Sequence, residues 1–149
     1  MAGWYYVTIC TKDRKEILGE IHQGQMKVNM NGWIVQNCWM DLTNHYSHIH
    51  LDEFIVMPNH LHGIVCILDD TDARAGHRPA PTHGLSEIVR ALKSYSAQRI
   101  NIMRGAENVP VWQRNYFEHI IRDEKDLDRI RQYIIDNPSN WGHDEMNVL

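Results

Sequence analysis

Hydrophobic and polar positions change period several times along the chain, and each change marks an element. Residues 4–11 (WYYVTICT) are rich in aromatic and β-branched side chains and predict a strand. Residues 17–21 and 25–29 flank a His-Gln-Gly break and predict a small hairpin. Residues 30–44 switch to helical period, with Trp33, Ile34, Cys38 and Leu42 in a stripe, Val35 and Trp39 beside it, and Asn31 as cap. Residues 49–57 and 60–68 are two apolar runs with only Pro58-Asn59 between them, so they pair as an antiparallel hairpin. In the second run Ile64, Cys66 and Leu68 alternate with Leu61, Val65 and Ile67. A strand apolar on both sides has both faces covered, so something packs over each.

Residues 69–83 (DDTDARAGHRPAPTH) are polar, Pro-rich and aperiodic, and read as a loop. Residues 85–102 return to helical spacing at Leu85, Ile88, Val89, Leu92, Tyr95 and Ile102. The other positions there carry Arg90, Lys93, Ser94, Gln98 and Arg99, either a solvated stripe or a phosphate-facing one. After a loop at 104–110, residues 116–122 predict a strand. Asp123 caps a last helix that ends before Pro138, with Leu127, Ile130 and Ile134 as its core stripe. Tyr133 lies beside that stripe, and Asn137 stands one turn further on the same side. Residues 139–149 are polar and form no clear element.

With the small hairpin set aside, the order is βαββαβ plus one helix. This predicts an α+β, ferredoxin-like antiparallel sheet with two helices on one face. The extra C-terminal helix is the natural cover for the other face. It would carry Tyr133 and Asn137 towards His60 and His62, within one chain or across a dimer. At 149 residues the chain is expected to form a single domain, residues 1–149.

Composition narrows the function. The net charge of −4 argues against a wholly basic nucleic-acid binder. Between Arg74 and Arg122, however, eight basic residues stand against Glu87, Glu107 and Glu118, a local charge of +5. Such a stretch can hold a phosphate backbone, or simply be a solvated surface. Cys10, Cys38 and Cys66 have no paired spacing and sit in apolar segments. They read as buried free thiols in a reducing, cytoplasmic compartment. No apolar run reaches the length needed to cross a bilayer, and no signal peptide opens the chain.

His60-Leu61-His62 carries the candidate chemistry. On a strand the two imidazoles point the same way, about 7 Å apart along the backbone, and can share one metal ion. Neutral imidazole suits metals from manganese to zinc. Standing alone, such a pair is as readily two polar residues at a strand start. Gly63 leaves room for something to approach the backbone. A second pair, His48-Ile49-His50, reads as surface.

Residues 56–63 (VMPNHLHG), 111–116 (VWQRNY) with 119–122 (HIIR), and 133–138 (YIIDNP) together resemble the HUH endonuclease superfamily. More closely they resemble the single-tyrosine transposases of insertion sequences and the REP-associated tyrosine transposases. Residues 5–9 (YYVTI) are similar to that family's first strand. The resemblance implies metal ligation by His60 and His62, completed by Asn137, with Mg²⁺ or Mn²⁺ as cofactor. It implies that Tyr133 is the nucleophile. The reaction it implies is cleavage of single-stranded DNA through a 5′-phosphotyrosine link and a free 3′-hydroxyl, reversible by a second 3′-hydroxyl. A free tyrosine titrates near pH 10, so it needs help to lose its proton. His119, Lys93 and metal-bound water are candidates for that base. Members often carry a short leader before the first strand; this chain starts almost on it and is expected to be a shortened copy.

Arg90, Lys93, Arg99, Trp112, Arg114 and Arg122 are candidate DNA contacts, the arginines and lysine to phosphate and Trp112 by stacking on unpaired bases. Tyr116 is the rival tyrosine, but it lies in a strand pattern beside Phe117 and reads as packing. The expected partner is single-stranded DNA bearing hairpins, bound by a monomer or a homodimer. Two other functions fit parts of the pattern. One is a hairpin-binding module that has lost cutting. The other is a hydrolase that uses the two histidines on Zn²⁺ and does not need Tyr133.

Overall fold

The computed structural model describes residues 3–68 and 84–143. The expected loop at 69–83 and the end of the polar tail lie outside the described residues. Strand β1 (Gly3–Cys10) is followed by the hairpin β2 (Gly19–His22) and β3 (Gln25–Val28), then helix α1 (Met30–His45). Strands β4 (Ile49–Met57) and β5 (His60–Ile67) precede α2 (Leu85–Met103), β6 (Phe117–Ile121) and α3 (Glu124–Asp136). The main sheet has the order β4-β5-β1-β6, antiparallel throughout. This is the ferredoxin-like arrangement that the element order predicts.

Helices α1 and α2 cover one face. Their stripes meet Val7, Ile9, Leu61 and Val65 in the larger core. On the other face Ile130 and Ile134 of α3 close over Tyr6, Ile64 and Ile121, with Leu127 packed at the margin. The C-terminal helix therefore covers the histidine face, and β5 is buried on both sides from His60 to Cys66.

Three expectations within the helices need correcting. Asn29, not Asn31, caps α1: its side chain accepts from the Gly32 N–H, while the Asn31 amide donates to the Ile17 carbonyl. Trp33 faces outward from α1. In α2 the last core position is Ile100, and Ile102 is 72% exposed. Helical period admits several positions near a helix end, and only the packed neighbour decides among them. The three cysteines are free and buried, as their apolar settings imply.

Two contacts fix the layers. Trp39 of α1 packs against Gly63, where an added Cβ would stand 2.5 Å from Trp39 Cζ2. That is the close approach the glycine permits, and it comes from the side opposite the histidines. The second contact begins at a bulge in β4 between Leu51 and Phe54, where three residue steps face two on β5. There Asp52 takes a bidentate pair from Arg131 of α3, Nε to Oδ1 and Nη2 to Oδ2, both 2.7 Å. Hydrogen bonds from Arg131 hold the Asp52 carboxyl below its ordinary value.

Gly63→Ala is expected to destabilise the fold by about 1–3 kcal/mol through overpacking, read as a lower urea midpoint at unchanged slope. Asp52→Asn should act with a definite pH dependence. A carboxyl depressed in the folded state stabilises fully above its unfolded pKa, near 3.8, and that gain fades as pH falls through the folded value. Urea curves should separate wild type from Asp52→Asn at pH 7, and the gap should narrow progressively as pH falls below 3.8.

Candidate active site

The site is built from the start of β5 upward. Pro58-Asn59 turns the chain into β5, and several bonds lock the turn. Thr11 N–H and Oγ1 both donate to the Asn59 carbonyl at 3.0 and 3.1 Å, and Leu18 N–H donates to the Pro58 carbonyl at 3.0 Å. The Asn59 amide donates its NH₂ to the Arg14 carbonyl (3.4 Å), which leaves Oδ1 facing His60 Nδ1 at 2.7 Å. His60 Nδ1–H is therefore the donor, and its Nε2 carries the lone pair.

His62 is held from the neighbouring strand. Thr8 is its register partner on β1, and Tyr6 is two residues away on the same face. Tyr6 Oη and Thr8 Oγ1 lie 2.8 and 2.9 Å from His62 Nδ1. Hydroxyls donate or accept, so this pair suits either imidazole tautomer. The two Nε2 atoms converge at 3.0 Å, both rings buried.

Helix α3 brings the remaining groups. The Tyr133 ring stands 5.6 Å from that of His62 and 6.5 Å from that of Tyr6, edge-on to each. Trp141, beyond the helix, stacks on His60 at 6.1 Å. Asn137 lies between these two aromatics along the chain. It is buried, and its Oδ1 has no hydrogen-bond partner among the described residues. A buried amide oxygen left so is costly unless something else is meant to meet it.

These residues fit a divalent cation. Two cis ligands about 2.1 Å from an octahedral ion stand about 3.0 Å apart, which is the Nε2 separation. An orphaned carboxamide oxygen adds a hard donor, and mixed nitrogen and oxygen ligands suit Mg²⁺ or Mn²⁺. Among the described residues no three His, Cys, Asp or Glu side chains cluster as a metal site. The candidate donors are therefore two imidazoles and the unpartnered Asn137 amide oxygen.

The other candidates separate by face. Arg90, Lys93, Trp112 and Arg114 line one groove of about 350 Å³ between α2 and residues 111–114, on the opposite side of the sheet from the histidines. Trp112 is a correction. It is only 8% exposed and its indole N–H is donated to Ser96 Oγ, so its ring belongs mainly to the core and only its margin reaches the groove. A strand-like aromatic run cannot tell an outward ring from an inward one. Lys93 is a partial correction. Its Nζ donates to the carbonyls of Gln113, Arg114 and Asn115, which uses all three of its N–H bonds. It clamps that segment, burial lowers its pKa, and it faces away from Tyr133, so it is neither a free phosphate contact nor the base. Arg99 donates to Cys38 Sγ, and Arg90, Arg114 and Arg122 are exposed. His119 Nε2 is bonded to Asp126 Oδ2 of α3 at 2.8 Å. Tyr116 packs against the α1–α2 core beneath Lys93, and burial raises its pKa. His50 is exposed on edge strand β4.

Asn59, Tyr6, Thr8 and Trp141 escape sequence reasoning. The first three were readable only as same-face or adjacent positions, and nothing in the sequence marks Trp141.

A four-stranded antiparallel sheet, two helices behind it, and a third helix that sets a tyrosine against paired histidines define an α+β class of protein built around a covered strand. The chain belongs to the IS200-like transposase family, whose model matches residues 2–137. It is 36% identical over 98% of its length to an uncharacterised protein of Haemophilus influenzae, covering 86% of that protein. It is 28% identical to a candidate REP-associated tyrosine transposase of the same species, over 61% of this chain and half of that one. Among solved structures it resembles a REP-associated tyrosine transposase bound to a REP hairpin. The TM-score there is 0.64 at 20% identity, over 94% of this chain and 68% of that one. It also resembles a candidate transposase from Deinococcus radiodurans, with a TM-score of 0.56 at 20% identity over 91% of both chains. At these identities the two structures speak for the fold.

Calorimetry with Mn²⁺ tests the donor set. His62→Ala should abolish binding, and the pair Tyr6→Phe with Thr8→Val should weaken it about 10–100-fold, as loss of groups that orient a ligand does.

Proposed function

We propose that this protein is a metal-dependent single-stranded DNA endonuclease and strand transferase that acts on hairpin-bearing DNA through a 5′-phosphotyrosine intermediate. The observation that carries this reading is the Tyr133 ring set against His62, within one chain, beside the converged Nε2 atoms. Family membership supports the reaction class. The hairpin bound by a structural relative supports the substrate class.

In this reading His60, His62 and Asn137 hold Mg²⁺ or Mn²⁺, which when bound would polarise a phosphate oxygen and offset the charge that develops on it. Asn59 fixes His60, and Tyr6 with Thr8 fixes His62, so the ligands need little reorganisation. The Tyr133 side chain is 42% exposed and rides on a helix pinned by Arg131–Asp52, so its hydroxyl can meet a strand from solvent at a defined height. Its hydroxyl gives up its proton as the oxygen attacks phosphorus, the P–O3′ bond breaks, and the departing O3′ takes up a proton to leave as the 3′-hydroxyl, so the proton count balances. The phosphotyrosine diester conserves the bond, so another 3′-hydroxyl can reverse the step and join strands. Arg90, Arg99, Arg114 and Arg122 are the candidate phosphate contacts.

The test is a covalent-adduct gel with labelled single strands carrying hairpins from the gene's own flanks, in Mn²⁺ and in chelator. Wild type should give a metal-dependent shifted band, Tyr133→Phe none, and Tyr116→Phe a normal one. A band lost only in Tyr116→Phe would sink the assignment. Tight hairpin binding with no band would instead favour a binding module that has lost cutting.

A further inference from the structure

Phe117 opens edge strand β6 and is 57% exposed. It is the register partner of Thr8, which is in turn the partner of His62. The three therefore form one row across β6, β1 and β5 on the face under α3. The Phe117 ring meets Tyr6 edge-on at 6.3 Å. Tyr6 in turn stacks on His62 at 5.5 Å and meets Tyr133 edge-on. A large exposed aromatic on an edge strand is an aggregation liability unless a partner uses it. This ring is continuous with the candidate active site. It also sits at a corner. Arg114 of the basic groove lies three residues before it, a span of at most about 11 Å, so an anionic strand leaving the groove towards Tyr133 passes the start of β6.

We propose that Phe117 is a stacking platform for an unpaired nucleobase next to the phosphodiester that Tyr133 attacks, so that it positions the single-stranded flank of the hairpin. The inference rests on the proposed function for its substrate class. The occupant is a base rather than a protein side chain because the ring adjoins the phosphate chemistry on one side and exposed Arg114 on the other. Every base offers a π-face, so the platform tolerates sequence and sets position.

The experiment uses the full chain in Mn²⁺ and hairpin strands with 2-aminopurine placed in turn at each single-stranded flank position. Wild type should quench one position. Phe117→Ala should lose that quenching and bind flanked strands about tenfold more weakly, within the range of one lost stack. Its binding to the bare hairpin should be unchanged, and Phe117→Trp should restore both readouts. No quenching at any position in wild type overturns the proposal. So does equal binding of flanked strands by Phe117→Ala, an equal loss on bare hairpin, or a shift from dimer to monomer as the only effect. If quenching depends on Phe117 but no Tyr133 adduct forms, the stacking site stands and the strand-transfer reading falls.

Discussion

A strand buried on both faces cannot carry two imidazoles unless their ring nitrogens are met, because an unpaired polar atom in a dry interior costs more than most contacts return. β5 lies between β4 and β1 and is covered by helices on each side. Asn59 answers His60, and Tyr6 with Thr8 answers His62. With those Nδ1 atoms engaged, each ring is turned so that Nε2 meets Nε2. The convergence is a consequence of satisfying the outer nitrogens, and it holds the two rings in one arrangement without further reorganisation.

The position of α3 follows from a different balance. Its apolar stripe is short, so few side chains hold it to the sheet. The bulge in β4 offers Asp52 to Arg131, and the bidentate geometry fixes both rotation and height. Once that height is set, Tyr133 lies against His62, Trp141 against His60, and Asn137 between them along the chain. One helix turn thus spaces the tyrosine from the amide.

The sheet separates two kinds of surface. The α3 face carries the buried histidines and the exposed tyrosine. The α2 face carries the groove with Arg90 and Arg114, and there Lys93 holds residues 113–115 in place. Those residues run directly into β6, so the clamp on one face determines where the edge strand begins on the other.

Alternation and helical period were enough to assign every major element, and the antiparallel hairpin around Pro58-Asn59 and the cover over the histidine face followed from apolar runs alone. The relative placement of the candidate residues was legible because His60 and His62 share a strand face whatever the fold, and Tyr133 and Asn137 share a helix face. These are local periodicities fixed by backbone geometry; the chemistry proposed for these residues comes from the family resemblance. Tertiary structure decided the rest. Sequence could not say whether Trp112 faces a base or the core, because a strand of aromatics looks alike from either side; the nearby Ser96 hydroxyl and the α2 stripe decided it. Nor could it show that Lys93 spends its donors on three carbonyls, that Asn29 rather than Asn31 caps α1, or that Tyr6 and Thr8 steady His62. Each depends on groups far apart in sequence that meet only when the layers close. Pattern determines which way a side chain points from its own backbone; packing determines what it finds there.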